Sequence, residues 1–211
     1  TLTRVDAVPL QAMLSDRLGR AVTVQNDATA AAVGEHLAGA GRGVPRFGFI
    51  TVSTCVGGGI VLDGRPMVSP SGLAGPVGFA TSRHSTGRCG SGRIGTVENV
   101  AGGRAIAAAA AGLGHQGYDA RRVFETHLAG ESWASELITR SAQAVAELCA
   151  NLAAILDLER IALGGSIGLA QGYSARVSAA LAEEPALFRP EIVHAELGHE
   201  AALIGILSEL A

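Results

Sequence analysis

Residues 49–62 read FITVSTCVGGGIVL, and this stretch sets a Thr-Cys-Val-Gly-Gly-Gly turn between two β-rich runs. The β-branched and aromatic residues on either side predict two paired strands, over residues 46–53 and 58–62, with the turn exposed at their tip. Glycines let backbone N–H groups approach an anionic ligand that side chains would otherwise block. The stretch therefore predicts either a phosphate-binding turn or a plain hairpin connection.

A second motif lies upstream, where residues 26–35 read NDATAAAVGE. The alanine-rich part predicts a helix over residues 28–37, and a short strand is predicted over residues 20–24 before it. A carboxylate at such a strand-to-helix junction can take a proton from an alcohol, so Asp27 is a candidate general base. Asn and Asp are also common N-caps of helices, and the residues alone leave both interpretations open.

The composition of the chain indicates its cellular compartment and the kinds of molecule that it binds. The chain has 211 residues, of which 48% are hydrophobic and 17% charged, enough to bury one substantial core. Its formal charge of −3 offers no basic surface for a polyanion, so we expect small-molecule partners and no nucleic acid. Three widely spaced cysteines, with neither a signal-like segment nor a membrane span in the sequence, predict a cytoplasmic protein.

The remaining sequence alternates helices with strands, which predicts an α/β fold. A region rich in proline and glycine over residues 66–103 predicts a loop that binds a ligand. The turn Gly164-Gly165-Ser166 follows a buried-type strand and precedes a helix, an arrangement that suits a nucleotide. Helices are predicted over residues 5–18, 100–111, 119–128, 132–156, from about 169, and 200–210, and strands over residues 160–163 and 191–197.

Five motifs, taken in order, resemble those of the ROK family of bacterial sugar kinases and repressors, within the larger actin-like ATPase fold. They are NDATAAAVGE at 26–35, FITVSTCVGGGIV at 49–61, GLAGPVGF at 72–79, CGSGRIGTVE at 89–98 and IALGGSIGLAQGY at 161–173. The resemblance implies an α/β, actin-like ATPase (ribonuclease-H-like) C-terminal lobe over residues 41–211. Residues 1–40 would be a remnant of the N-terminal lobe, on which the final helix packs back.

The resemblance also implies a phosphotransferase of carbohydrate metabolism. In such a kinase, ATP with Mg²⁺ phosphorylates the 6-hydroxyl of N-acetylmannosamine or a related amino sugar, in sialic-acid catabolism, and relatives pair through the C-terminal lobe as homodimers. By position, Asp27 would be the catalytic base, and Asn26 and Glu98 would bind the sugar. The ATP-binding residues would be Thr54, Cys55, Val56, Gly57, Gly58, Gly59, Ile60, Val61, Leu62, Gly164 and Gly165.

Several positions depart from the family pattern, most of them at its zinc site. Phe79 stands where the family has a zinc-binding histidine, and Ser91 and Thr96 stand where it has two of three zinc cysteines. Cys89 is the only remaining family zinc ligand, whereas a structural zinc needs about four thiolate or imidazole ligands. We therefore expect zinc to be lost and the loop to become more mobile. Cys55 replaces a glycine of the phosphate loop, which is expected to weaken ATP binding.

A further departure concerns the Asp-x-Gly-Gly-Thr loop with which kinases of this family bind the ATP phosphates. No such motif occurs in the 211 residues. We therefore expect the chain to be a truncated copy whose phosphotransfer is impaired. Two alternatives stay open, namely a non-catalytic ROK-derived protein that binds a sugar or regulates a partner, and a pseudogene product that folds poorly.

Overall fold

A five-stranded sheet organises the computed structural model, which describes residues 8–69 and 75–208. The strands are β1 (Arg46–Val52), β2 (Val56–Leu62), β3 (Arg65–Pro66), β4 (Arg160–Gly164) and β5 (Glu191–His194), and their order in the sheet is β3-β2-β1-β4-β5. β1 is antiparallel to β2 and parallel to β4, which is in turn parallel to β5. The carboxyl ends of β1, β4 and β5 therefore meet at one edge, where open α/β sheets bind their ligands.

Helices cover both faces of this sheet. The described residues form α1 (Leu10–Leu18), α2 (Asp27–Ala38), α3 (Glu98–Ala101), α4 (Gly103–Gly112), α5 (Ala120–Leu128), α6 (Ser132–Leu156), α7 (Gly165–Gly168), α8 (Tyr173–Leu181) and α9 (Ala201–Ser208). Side chains of β1 alternate between the two faces, so that Phe47 and Phe49 join the core under α2 and α9. Ile50 and Val52 join the second core, built largely from α4, α5, α6 and α8. Among the described residues, no helix combines the length and apolar character needed to span a membrane.

Helices α2 and α9 cross with their backbones in direct contact. A Cβ atom on Gly34 would overlap the carbonyl group of Ala201, and a Cβ on Gly205 would overlap the carbonyl oxygen of Ala30. Only glycine leaves room for this crossing, so these two positions bring α9 onto the helix that begins at Asp27. The division of the chain at residue 40 into two lobes stays a prediction.

Most predicted elements are present, and the long helix has the predicted bounds. The strand predicted over residues 20–24 is wrong, because that segment is irregular and pairs with no strand of the described residues. The helix predicted over residues 100–111 is split at Gly102, whose extended backbone separates α3 from α4. The helix expected from about residue 169 begins later, at Tyr173, after Gly172 at φ +77°, and the short helix α7 before it was not predicted. The predicted last strand ends at His194, and parts of the first and last predicted helices (residues 5–7, 209 and 210) lie outside the described residues.

Candidate functional site

A cavity of about 520 Å³ opens at the carboxyl edge of the sheet, and we call it the Asp27 cavity. Its walls include Asp27 at the start of α2, Thr51 and Ser53 at the end of β1, and the glycines Gly164 and Gly165 at the end of β4. Other walls are formed by residues that follow β5, among them Ala195, Gly198 and His199. Small-molecule sites measure about 300–1,000 Å³, so this volume suits a ligand of that class.

The Asn-Asp pair is held at this edge by the start of α2. Asn26 is the N-cap, and its Oδ1 accepts hydrogen bonds from the backbone N–H groups of Ala28 and Thr29, each at 3.1 Å. Oδ1 of Asp27 accepts a bond from the Ala28 N–H at 2.8 Å. The capping interpretation therefore holds for Asn26, while the exposed carboxylate of Asp27 also faces the cavity.

The Gly164-Gly165 turn brings the backbone of β4 close to that of β1. A Cβ on Gly164 would lie 2.7 Å from the ring of Phe49, and one on Gly165 would lie 2.7 Å from the Thr51 hydroxyl oxygen. Gly165 also has φ +82°, a conformation that side chains disfavour. The two glycines thus form a narrow backbone wall within the same cavity as Asp27.

The predicted hairpin of β1 and β2 is present, but its turn is shorter than the Thr54–Gly59 turn that the sequence indicated. All three glycines at 57–59 belong to β2, and the connection consists of residues 53–55, so the glycines do not form an exposed turn. A Cβ on Gly59 would lie 2.6 Å from the Ala32 Cβ, and one on Gly58 would lie 2.7 Å from Val77 Cγ2. Glycine is therefore required here for close packing of the strand between its neighbours. ATP contacts by Val56, Gly57, Gly58, Gly59, Ile60, Val61 and Leu62 stay a prediction.

A second, smaller cavity of about 260 Å³ contains the other predicted sugar ligand, Glu98. Thr54, Cys55 and Phe79 also line it, so Glu98 and Asp27 border different cavities among the described residues. Glu98 Oε2 accepts a hydrogen bond of 3.4 Å from the Val56 N–H. Burial, and next to it the negative charge of Glu98, raises the pKa of the Cys55 thiol, which keeps this sulfur protonated.

Cys89 lies beside the second cavity, where its thiol contacts the hydroxyl groups of Ser91 and Thr96. Its sulfur is 2.9 Å from the hydroxyl oxygen of Ser91 and also interacts with Thr96, which is fully buried. Although burial acts against it, hydrogen bonds from Ser91 and Thr96 lower the pKa of the Cys89 thiol. Hydroxyls are not zinc ligands in structural sites, so one thiol with two hydroxyls does not fit that metal. In residues 8–69 and 75–208, no three His, Cys, Asp or Glu side chains are grouped to hold a metal ion.

Four polar residues of the Asp27 cavity were not among the predicted site residues. Thr51, Ser53 and Ser166 supply hydroxyl groups, and His199 supplies an imidazole. The first three lie within three residues of the carboxyl ends of predicted strands, a position that favours ligand contacts and was an available signal. His199 lies between two elements with no motif of its own, and only the course of the chain after β5 brings it to the cavity.

Comparison with known proteins identifies the family. The ROK family matches residues 2–210, which is nearly the whole chain. The chain belongs to the ROK family. Among curated relatives of this ROK chain, an N-acetylmannosamine kinase of Citrobacter koseri is 46% identical over 197 residues, covering 93% of this chain and 67% of that protein. The chain spans 61–67% of the length of the curated kinases that it matches.

Solved structures show the same fold. A ROK hexokinase from Thermus thermophilus superposes with a TM-score of 0.86 at 34% identity, covering 93% of this chain and 67% of that one. A ROK glucokinase from Streptomyces griseus, in complex with glucose and AMPPNP, has a TM-score of 0.74 at 27% identity. The match covers 96% of this chain and 72% of the glucokinase. These sugar kinases have the actin-like ATPase fold, so the predicted α/β fold class is confirmed.

Proposed function

We propose that this ROK chain carries the catalytic base and the nucleotide-binding wall of an ATP-dependent kinase for N-acetylmannosamine or a related amino sugar. The observation that carries the proposal is that Asp27 and the Gly164-Gly165 turn line one cavity at the carboxyl edge of the sheet. The 46% identity to an N-acetylmannosamine kinase supports this choice of sugar. Phosphorylation at the 6-hydroxyl places the reaction in sialic-acid and amino-sugar catabolism.

In this mechanism Asp27 accepts the proton of the sugar 6-hydroxyl while the sugar 6-oxygen attacks the γ-phosphorus. The bond between the γ-phosphorus and the β,γ-bridging oxygen would break, and ADP would leave. Asp27 is suited to the task because it is the one carboxylate among the described residues that line the cavity. A base at this place contributes about 10²–10⁴-fold to the rate. Asn26 keeps its side-chain NH₂ group for a sugar oxygen while its Oδ1 caps α2. Glu98 would reach the sugar from the second cavity.

The residues at the end of β4 fit a nucleotide. Gly164 and Gly165 line the cavity and pack tightly against Phe49 and Thr51, and phosphate oxygens can approach a backbone without side chains closely. The hydroxyls of Thr51, Ser53 and Ser166 would donate hydrogen bonds to the phosphates. Mg²⁺ is commonly bound by phosphates and water with only one or two carboxylates, and it would neutralise charge on the transferred group. Thr54 and Cys55, which border the second cavity, would form the far end of the phosphate site.

We further propose that this chain folds without the family's zinc ion. The support is chemical, because the thiol of Cys89 is hydrogen-bonded to hydroxyl groups at two positions where the family has cysteines. The loop formed by residues 81–97, called the Cys89 loop below, is joined to α6 by other contacts. The Ser82 hydroxyl donates to Glu147 at 2.6 Å, and the Arg140 guanidinium donates to the carbonyl of His84.

A second candidate function is sugar binding without phosphotransfer, in a regulatory protein derived from the same family. The observation that favours it is Phe79, which lines the cavity of Glu98 at a position where the family has a histidine that contacts the sugar. An aromatic ring supplies apolar contact and cannot replace the hydrogen bond of an imidazole. In this alternative the cavities bind the sugar, and Asp27 has no catalytic role.

The two candidates are separated by binding and turnover measured on the same purified chain. Calorimetric titration with ADP, AMPPNP and N-acetylmannosamine measures the affinities, and transfer of radioactive γ-phosphate measures turnover. For the kinase we expect ADP to bind and turnover to be slow. Asp27→Asn is expected to lower turnover by about 10²–10⁴-fold while the ADP affinity changes by less than about threefold.

Asp63→Asn is the matched control for Asp27→Asn. Asp63 has φ +52° in the turn after β2, a conformation that Asn adopts readily, so this variant should retain full turnover. Turnover that survives in Asp27→Asn would contradict the role of the base. Sugar binding without ADP binding would favour the regulatory alternative. A homodimer, a cytoplasmic location and the absence of nucleic-acid binding stay predictions.

A further inference from the structure

Glu35 is a carboxylate buried completely inside the protein, with 0% of its surface exposed. It accepts hydrogen bonds from three backbone N–H groups, those of Ala40 at 2.9 Å, Glu196 at 3.0 Å and Leu197 at 2.8 Å. A buried carboxylate is costly unless its oxygens are satisfied, and these three donors satisfy them. The proposed mechanism assigns no role to this residue.

Two of these donors lie in a segment whose neighbouring residues line the Asp27 cavity. Glu196 and Leu197 lie between Ala195 on one side and Gly198 and His199 on the other, and the last three line the cavity. The Ala195 N–H donates to the carbonyl of Leu163 in β4 at 2.9 Å, which fixes the start of this segment. The carboxylate of Glu35 fixes its middle, so the segment has two independent anchors.

The sequence around Glu35 leaves room for this anchor. A Cβ on Gly39 would overlap Oε2 of Glu35 and would lie 3.0 Å from Leu197 Cγ. Glycine at position 39 therefore lets the carboxylate reach the amides of the neighbouring segment. Gly39 and Glu35 therefore depend on each other, because the missing side chain at position 39 leaves the space that the carboxylate of Glu35 occupies.

Helix α2 carries both Asp27 and Glu35. The two residues are eight positions apart, which corresponds to about 12 Å along a helix. Asp27 faces the cavity from the first turn of α2, and Glu35 holds the opposite segment from the third turn. A movement of residues 195–199 relative to α2 would change the width of the cavity at its nucleotide wall.

We propose that Glu35 is a positioning residue of the nucleotide site, which sets the distance between residues 195–199 and the helix that carries Asp27. This role rests on the function proposed above. Nucleotide affinity should depend on the Glu35 carboxylate, whereas sugar affinity should not, because the proposed sugar contacts are Asn26, Asp27 and Glu98 and none of them lies in residues 195–199.

Glu35→Gln tests the role because it keeps the size of the side chain and replaces one acceptor oxygen by a donor that faces N–H groups. We expect the ADP dissociation constant to rise about tenfold or more, with N-acetylmannosamine affinity within about twofold of the wild type. Hydrogen exchange at the amides of residues 196 and 197 should become faster. Glu35→Asp keeps the charge with a shorter reach and should be intermediate; it replaces the Gln variant if that variant does not fold.

Glu147→Gln is the matched control, because Glu147 also binds the backbone of a loop, through the Arg83 N–H, but that loop does not line the Asp27 cavity. Its ADP affinity should equal that of the wild type. A folded Glu35→Gln variant with wild-type ADP affinity, or with unchanged exchange at residues 196 and 197, would overturn the role of Glu35 alone. A wild-type chain that binds no ADP would overturn the proposed function and this role with it.

Discussion

The walls of the Asp27 cavity and the Cys89 loop are held by different kinds of contact. Around the cavity, helices and strands touch backbone to backbone, at Gly34 against Ala201 and at Gly59 against α2. The backbone hydrogen bonds of the Cys89 loop lie mainly within the loop itself, and its contacts with α6 are made by side chains, among them Ser82, which bonds to Glu147. Close backbone packing tolerates no added atom, whereas a polar side-chain contact can be lost singly at moderate cost. The two regions should therefore respond to mutation with different magnitudes.

The largest effect is expected from Gly34→Ala in the crossing of α2 and α9. The added methyl group would overlap the backbone of Ala201, so the two helices must separate. We expect a loss of unfolding free energy of about 3 kcal/mol or more, at or beyond the upper end of overpacking effects. Urea unfolding followed by circular dichroism measures this loss.

Gly112→Ala is the control for that substitution. Gly112 also lies in a helix, at the end of α4, and a Cβ there would meet nothing within 4 Å. Alanine should leave the stability unchanged or raise it by up to about 1 kcal/mol. Equal stability of the Gly34→Ala variant and the wild type would mean that the two helices do not cross as closely as the structure has them.

An intermediate effect is expected from Glu147→Ala, which removes hydrogen bonds between the Cys89 loop and α6. The substitution removes bonds to the Ser82 hydroxyl and to the Arg83 N–H. We expect a loss of about 1–2 kcal/mol in unfolding free energy, with faster hydrogen exchange confined to residues 81–97. Glu183→Ala removes an exposed acid and should change the stability by less than about 0.5 kcal/mol. Faster exchange at residues 195–199 in the Glu147 variant would contradict the separation of the two regions.

The smallest effect is expected from a metal chelator. Because one thiol and two hydroxyls do not form a zinc site, EDTA should shift the melting temperature by less than about 1 °C. The double variant Ser91→Cys, Thr96→Cys should bind zinc more tightly than the wild type, as measured by mass spectrometry of the dialysed proteins. Stoichiometric zinc in the dialysed wild type would contradict the proposed loss of the metal.

Residues near the Asp27 cavity show which features could be predicted from local sequence. The alanine-rich run after Asn26 has high helix propensity and a strong N-cap, so α2 follows from its own residues. The strand and glycine turn that end at Gly164 and Gly165 likewise lie where the pattern predicts them. Such elements are predicted correctly because the propensities and caps that determine them lie within a few residues of one another in the sequence.

The glycines at 57–59 show where this approach fails. Glycine serves both close approach of a ligand and close packing of a helix, and local sequence does not distinguish the two uses. Here Gly59 is required by α2, whose position depends on its contacts with β2 and α9. The phosphate-turn interpretation followed from the residues, and the packing role became visible only in the folded chain.

The sequence by itself determined the family, the α/β order of elements and the candidate base Asp27, because each rests on a contiguous motif. The tertiary structure alone decided that Asp27 and Glu98 border different cavities and that His199 joins the first. It also decided that Glu35 binds amides 161 and 162 positions away. Contacts over such separations depend on how the whole sheet and its helices assemble, and no spacing within a motif encodes them.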